Sequence, residues 1–103
     1  MEKTHTERGF TLMQFKDRYG SECSLQESSL ATESCIWFGV DKPSPHILVS
    51  DAKRLGLPYE GESGWCAFKI PSEVSITTRM HLTQDQVKEL LPHLIRFSET
   101  GEL

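Results

Sequence analysis

The chain has no run of apolar residues near the roughly 20 that a membrane-spanning helix needs. Its first ten residues, MEKTHTERGF, lack the apolar stretch of a secretory signal. Cysteine is scarce and odd in number: Cys23, Cys35 and Cys66, with no C-x-x-C pair. Disulfide scaffolds use even sets and structural zinc sites use close pairs, so neither fits. The three are read as reduced thiols of a cytoplasmic protein. Basic charge is also short, with 11 Lys and Arg against 15 Asp and Glu for a net charge of −4. A domain of that sign gains little from counterion release, which argues against bulk nucleic-acid binding. No glycine spacing of the Walker or Rossmann kind occurs, and Asp41, Asp51, Glu60 and Glu62 make no metal pattern.

What is present is an ordinary globular composition, 37% apolar and 25% charged over 103 residues. That length suits one domain that buries about two-thirds of its unfolded surface. Residues 1–9 are polar and aperiodic and read as a flexible tail. Residues 10–103 read as a single domain. FTLMQF (10–15) is read as a strand that ends near Lys16, with DRYG as a turn that Gly20 permits. CIWFGVD (35–41), HILVS (46–50), WCAFKI (65–70) and VSITTRMHL (74–82) read as strands. DAKRLGLPYEGESG (51–64), with three glycines and a proline, reads as a loop. Alternation in the last strand sets Val74, Ile76, Thr78, Met80 and Leu82 on one face and Ser75, Thr77, Arg79 and His81 on the other.

A C-terminal helix is the clearest element. Thr83 and Gln86 have capping-box spacing, and Asp85 suits the first turn. Val87, Leu90, Leu91, Leu94, Ile95 and Phe97 form an apolar stripe expected to be buried. Pro92 is expected to kink the helix near 88–91, and Gly101 to end it. The fold class is therefore α+β: a small antiparallel sheet of about four or five strands, with the C-terminal helix packed on it.

Two segments carry chemistry. GSECSLQESS (20–29) supplies hydroxyls at Ser21, Ser24, Ser28 and Ser29 and an amide at Gln26. Its glycine turn has the form of an anion nest. The alternative is a solvated loop leading to a short helix capped by Ser28 or Thr32. On the 74–82 strand, Arg79 is able to grip a phosphate or carboxylate with its fork, and His81 stands beside it. The competing reading is a plain solvent face. Cys23 is either a structural thiol or, paired with His81, a nucleophile. Trp37, Trp65, Cys35 and Cys66 are assigned to the core, and Tyr59 to a ligand- or partner-stacking role.

Tyr19, Gly20, Cys23, Ser24, Leu25, Gln26, Ser28, Ser29, Ile36, Trp37 and Gly39, followed by Arg79, Met80, His81, Leu82 and Thr83, form a pattern. It resembles a family of small uncharacterised proteins encoded by bacteriophages and prophages. The resemblance runs from about residue 10 to 103, apart from 43–63. It implies a phage accessory role, often counter-defence, and a shared site formed by Tyr19, Cys23, Ser24, Gln26, Ser28, Ser29, Arg79 and His81.

Three functions are thus expected in order. The first is a non-enzymatic counter-defence protein that sequesters a nucleotide-like anion in the bacterial host cytoplasm, with no cofactor, metal or membrane partner. The second is an acidic protein that masks a host defence protein or nuclease. The third is a thiol-dependent enzyme that uses Cys23. A short edge strand is compatible with a homodimer.

Overall fold

The strands form where β-branched and aromatic residues alternate with polar ones, and they end at turns the local sequence dictates. A computed structural model describes all 103 residues. They form two compact units where one domain was expected: residues 1–41 with 78–103, and residues 42–77.

The first unit is a five-stranded antiparallel sheet followed by a helix, which makes the chain α+β. Its strands are β1 (Lys3–His5), β2 (Thr11–Lys16), β3 (Glu22–Glu27), β4 (Cys35–Val40) and, after the second unit, β7 (Arg79–Thr83). Their spatial order is β1-β2-β3-β4-β7. The expected tail is therefore corrected. Residues 3–5 pair with β2, Lys3 opposite Met13 and His5 opposite Thr11, because a turn at 6–10 with Gly9 at φ 87 reverses the chain.

The β2–β3 turn is built by Asp17. Its carboxylate accepts the backbone N–H groups of Tyr19 (2.9 Å) and Ser21 (3.0 Å), and Gly20 takes φ 82. The chain's own aspartate thus occupies the donors of the expected anion nest. Residues 22–27, read as nest or loop, instead form a central strand. Alternation of Cys23 and Leu25 with Ser24 and Gln26 is the period that loop reading overlooked.

Register sorts the sheet into two faces. Phe15, Cys23, Leu25, Ile36, Phe38, Met80 and Leu82 share one, where the rings of Phe15 and Phe38 lie 6.0 Å apart. Gln14, Ser24, Gln26, Trp37, Gly39, Arg79 and His81 share the other. The strand expected over 74–82 begins only at Arg79. Its partner β4 ends at Val40, so residues before Thr78 have no neighbour to pair with on that strand.

The helix α2 (Gln84–Thr100) has both expected caps. Thr83 Oγ1 accepts the Gln86 N–H (3.1 Å), Gln86 Oε1 accepts the Thr83 N–H (2.9 Å), and Gly101 closes the far end at φ 76. The helix runs through Pro92. Its stripe, however, is not buried as expected: Leu90, Leu91, Leu94, Ile95 and Phe97 are all exposed, Phe97 at 55%. The helix starts at the residue after β7. Strand-to-helix reversals normally use loops of about 2–6 residues, so no connector here turns the helix back over the sheet.

The second unit pairs β5 (His46–Leu48) with β6 (Trp65–Ala67) and holds α1 (Val49–Leu55). Part of the expected loop at 51–64 is thus helical. Asp51 in its first turn, Lys53 and Arg54 in its last, and Gly56 at φ 70 are ordinary start and stop signals. Val49, Ala52 and Cys66 are buried there, whereas Trp65, expected in the core, is 69% exposed.

Candidate functional site

The polar face of the main sheet concentrates side chains from three adjacent strands. Antiparallel register places Ser24 of β3 opposite Gly39 of β4, and Gly39 opposite Arg79 of β7. One step along, Gln26 faces Trp37 and Trp37 faces His81. The two expected segments, 20–29 and 79–81, are therefore brought together across β4.

Gly39 makes this close approach feasible. It has φ 149, and a Cβ there would lie 2.9 Å from the Thr78 carbonyl oxygen and 3.1 Å from the Arg79 Cα. No side chain fits between β4 and the start of β7. The Arg79 guanidinium then reaches over the glycine to β3. Its Nη1 donates to Ser24 Oγ (3.1 Å) and to Gln26 Oε1 (2.8 Å). Ser24 is only 2% exposed, and its hydroxyl donates in turn to Asp41 Oδ1 (2.6 Å). With one O–H, that hydroxyl is committed, and it serves the network rather than an incoming ligand.

Both hydrogens of Nη1 are thus used, while the Nε and Nη2 edge of Arg79 makes no hydrogen bond within the chain. The guanidinium makes no ion pair. The carboxylate of Asp41 takes the Ser24 hydroxyl instead, and the chain's salt bridges are Arg54–Asp51, Lys88–Asp85 and Arg96–Glu102. A half-buried cation with two neutral acceptors and an open fork is the chemical core of the site. It borders a cleft of about 250 Å³ lined by Leu12, Gln14, Ser24, Gln26, Asp41 and Arg79.

Beside it lies an aromatic part. Trp37 and His81 stack at 3.9 Å between ring centroids and 10° between planes. The Arg79 guanidinium carbon lies 5.6 Å from the Trp37 ring centre, within cation–π range. His81 Nε2 and Ser28 Oγ are 2.8 Å apart, and Ser28 Oγ also accepts the Leu30 N–H (3.2 Å). Trp37, Gln26 and Ser29 line a second cleft of about 350 Å³ with Thr6, Glu7, Arg8 and Phe10. Gln26 belongs to both clefts, and no hydrogen bond within the chain uses its amide NH₂.

Ser24, Gln26, Ser28, Ser29, Arg79 and His81 thus lie on this face or along its clefts. Two expected members do not. Tyr19 sits at the β2–β3 turn and is 91% exposed. Cys23 is on the opposite face of β3, because successive strand residues alternate sides. Its thiol is buried and donates to the Ser21 carbonyl (3.4 Å). Burial pushes its pKa up, with the negative charge of Asp17 adding to the effect. The Cys23–His81 pair that a thiol enzyme would need is not assembled. Trp37, Gly39 and Asp41 were not singled out as site residues by sequence reasoning. The Cys35-Trp37-Gly39 alternation, once paired with Arg79 and His81, was the signal that placed Trp37 on this face rather than in the core.

Near the site, Thr11 holds the Glu27 carboxyl below the ordinary glutamate value, first through its side chain and then through its backbone N–H, which donates to the carboxylate (2.8 Å). No cluster of three or more His, Cys, Asp or Glu side chains is arranged to hold a metal ion. No helix is long and apolar enough to cross a membrane. Comparison with known proteins finds no matching family model, no similar curated protein and no similar solved structure.

Proposed function

We propose that the chain is a non-enzymatic binding protein for a nucleotide-like anion, with Arg79 as its anchor. The carrying observation is the Arg79 guanidinium: it is held by Ser24 and Gln26, forms no ion pair, and leaves its Nε and Nη2 edge open. A phosphate or carboxylate binds that edge with two parallel charge-assisted bonds. The Gln26 NH₂ is placed to donate to the same anion or to a base edge. Trp37, in the neighbouring cleft with Ser29, Arg8 and Phe10, offers an aromatic surface for a base or another planar group. The resemblance to small phage-encoded proteins supports sequestration of a host nucleotide signal as the setting of this binding.

Calorimetry with a panel of linear and cyclic nucleotides tests the reading on wild type, Arg79→Lys and Arg79→Ala. Hydrogen bonds to charged groups contribute about 1.5–3 kcal/mol each. Partial exposure of the guanidinium lowers the share lost on truncation, so Arg79→Ala is expected to weaken binding by at least about tenfold. Arg79→Lys, which keeps the charge and loses the fork, is expected to fall between. Absence of heat with every nucleotide, or equal affinity for all three proteins, overturns the assignment.

A further inference from the structure

The first unit leaves large apolar residues exposed along α2 and others only half-buried on one face of its sheet. We infer that the protein is a homodimer in which α2 of each copy lies across the apolar face of the other copy's sheet. This goes beyond the ligand reading and does not depend on it.

The chain exposes 8550 Å². Folded monomers follow a surface–mass scaling by which two separate globules of the sizes of these two units, within an 11.7 kDa chain, would together expose about 7,000 Å². The excess of about 1,500 Å² per chain amounts to about 3,000 Å² over two copies, within the range of obligate homodimers.

The helix has the stripe width of one seated on a sheet. At 3.6 residues per turn, Val87, Leu90, Leu91, Leu94, Ile95 and Phe97 span an arc of about 160°. A two-helix coiled-coil seam needs a narrower stripe, whereas a helix seated on a sheet uses a broad one. On the sheet, Phe15, Leu25, Ile36, Phe38 and Leu82 are only half-buried and Met80 is exposed. The two surfaces join. Val87 at the start of α2 lines an apolar cleft of about 240 Å³ with Ile36 and Leu82 of the sheet. The helix then carries the stripe onward from β7, with no loop to return it. A second copy related by a two-fold axis supplies both missing halves at once: its sheet receives this helix, and its helix covers this sheet.

Sedimentation equilibrium of the full chain, with isotope-filtered NMR of a mixture of labelled and unlabelled chains, tests this. The expected mass is twice 11.7 kDa. Intermolecular contacts are expected from the methyls of Leu91 and Leu94 to the rings of Phe15 and Phe38. Leu94→Glu places a charge in the apolar contact and is expected to weaken dimerisation by about a hundredfold or more, with far-UV circular dichroism confirming that the chain still folds. Glu89→Lys, on the polar side of α2, is expected to leave it unchanged. A monomer whose α2 contacts its own sheet overturns the inference. So does a dimer with helix–helix contacts alone, or one that tolerates Leu94→Glu.

Discussion

Replacing Gly39 by alanine separates two effects that glycines combine. At Gly39 the new methyl carbon would lie 2.9 Å from the Thr78 carbonyl oxygen and 3.1 Å from the Arg79 Cα, both main-chain atoms of β7 that no rotamer change moves away. The residue also holds φ 149, where an L side chain is strained. Gly20 at φ 82 is the control, since a Cβ there meets nothing within 4 Å. Backbone strain of this kind costs about 1–3 kcal/mol, so Gly20→Ala should lose roughly that amount. Gly39→Ala carries the strain and must also push β7 off β4, and overpacking against fixed neighbours adds about 1–3 kcal/mol more. Against a total stability of about 5–15 kcal/mol, a loss of roughly 2–6 is large. Urea unfolding at one fixed protein concentration measures both variants, because any self-association makes stability concentration-dependent. Nuclear Overhauser contacts between Trp37 and His81 report whether β7 has shifted. If Gly39→Ala is no more destabilised than Gly20→Ala, or the Trp37–His81 stack survives unchanged, Gly39 does not set the approach of β7 and the account of how Arg79 is positioned fails.

Two other outcomes follow from the same geometry. Cys23 should react with iodoacetamide more slowly than a free thiol at neutral pH, since burial and Asp17 both raise its pKa; a faster reaction would reopen a catalytic role for this thiol. Glu27, whose folded pKa is lowered by its bond to Thr11, contributes stability that is fully present above the unfolded glutamate pKa of about 4.3 and is lost as pH falls through the lower folded value. Glu27→Gln should therefore flatten that part of the acid limb in urea titrations across pH, and an unchanged acid limb would remove the Glu27–Thr11 link from the account.

Local signals were legible wherever the cause was local. The capping box of Thr83 and Gln86, the Gly101 terminus, the β4 strand and the turn at Gly20 depend on neighbours within a few residues, and the structure has them. Where local readings failed, a second pattern overlapped them. The serines at 21–29 hid the alternation of β3, and the glycines after Leu55 hid the helix signals of α1. Residues 3–5 lack any apolar pattern and form a strand only because β2 offers them an edge.

The sequence by itself determined which residues on 79–83 alternate, where α2 begins and ends, and that Ser24 and Gln26 share a strand face once a strand is granted. Those are properties of backbone period and capping. Only the tertiary structure decided that Arg79 reaches Ser24 and Gln26 across Gly39, because strand order and register join residues 53 and 55 positions apart. It also decided that Cys23 faces away and that α2 keeps its stripe open. Both follow from chain direction: alternation turns adjacent side chains to opposite faces, and a helix that starts where its strand ends continues outward until another surface meets it.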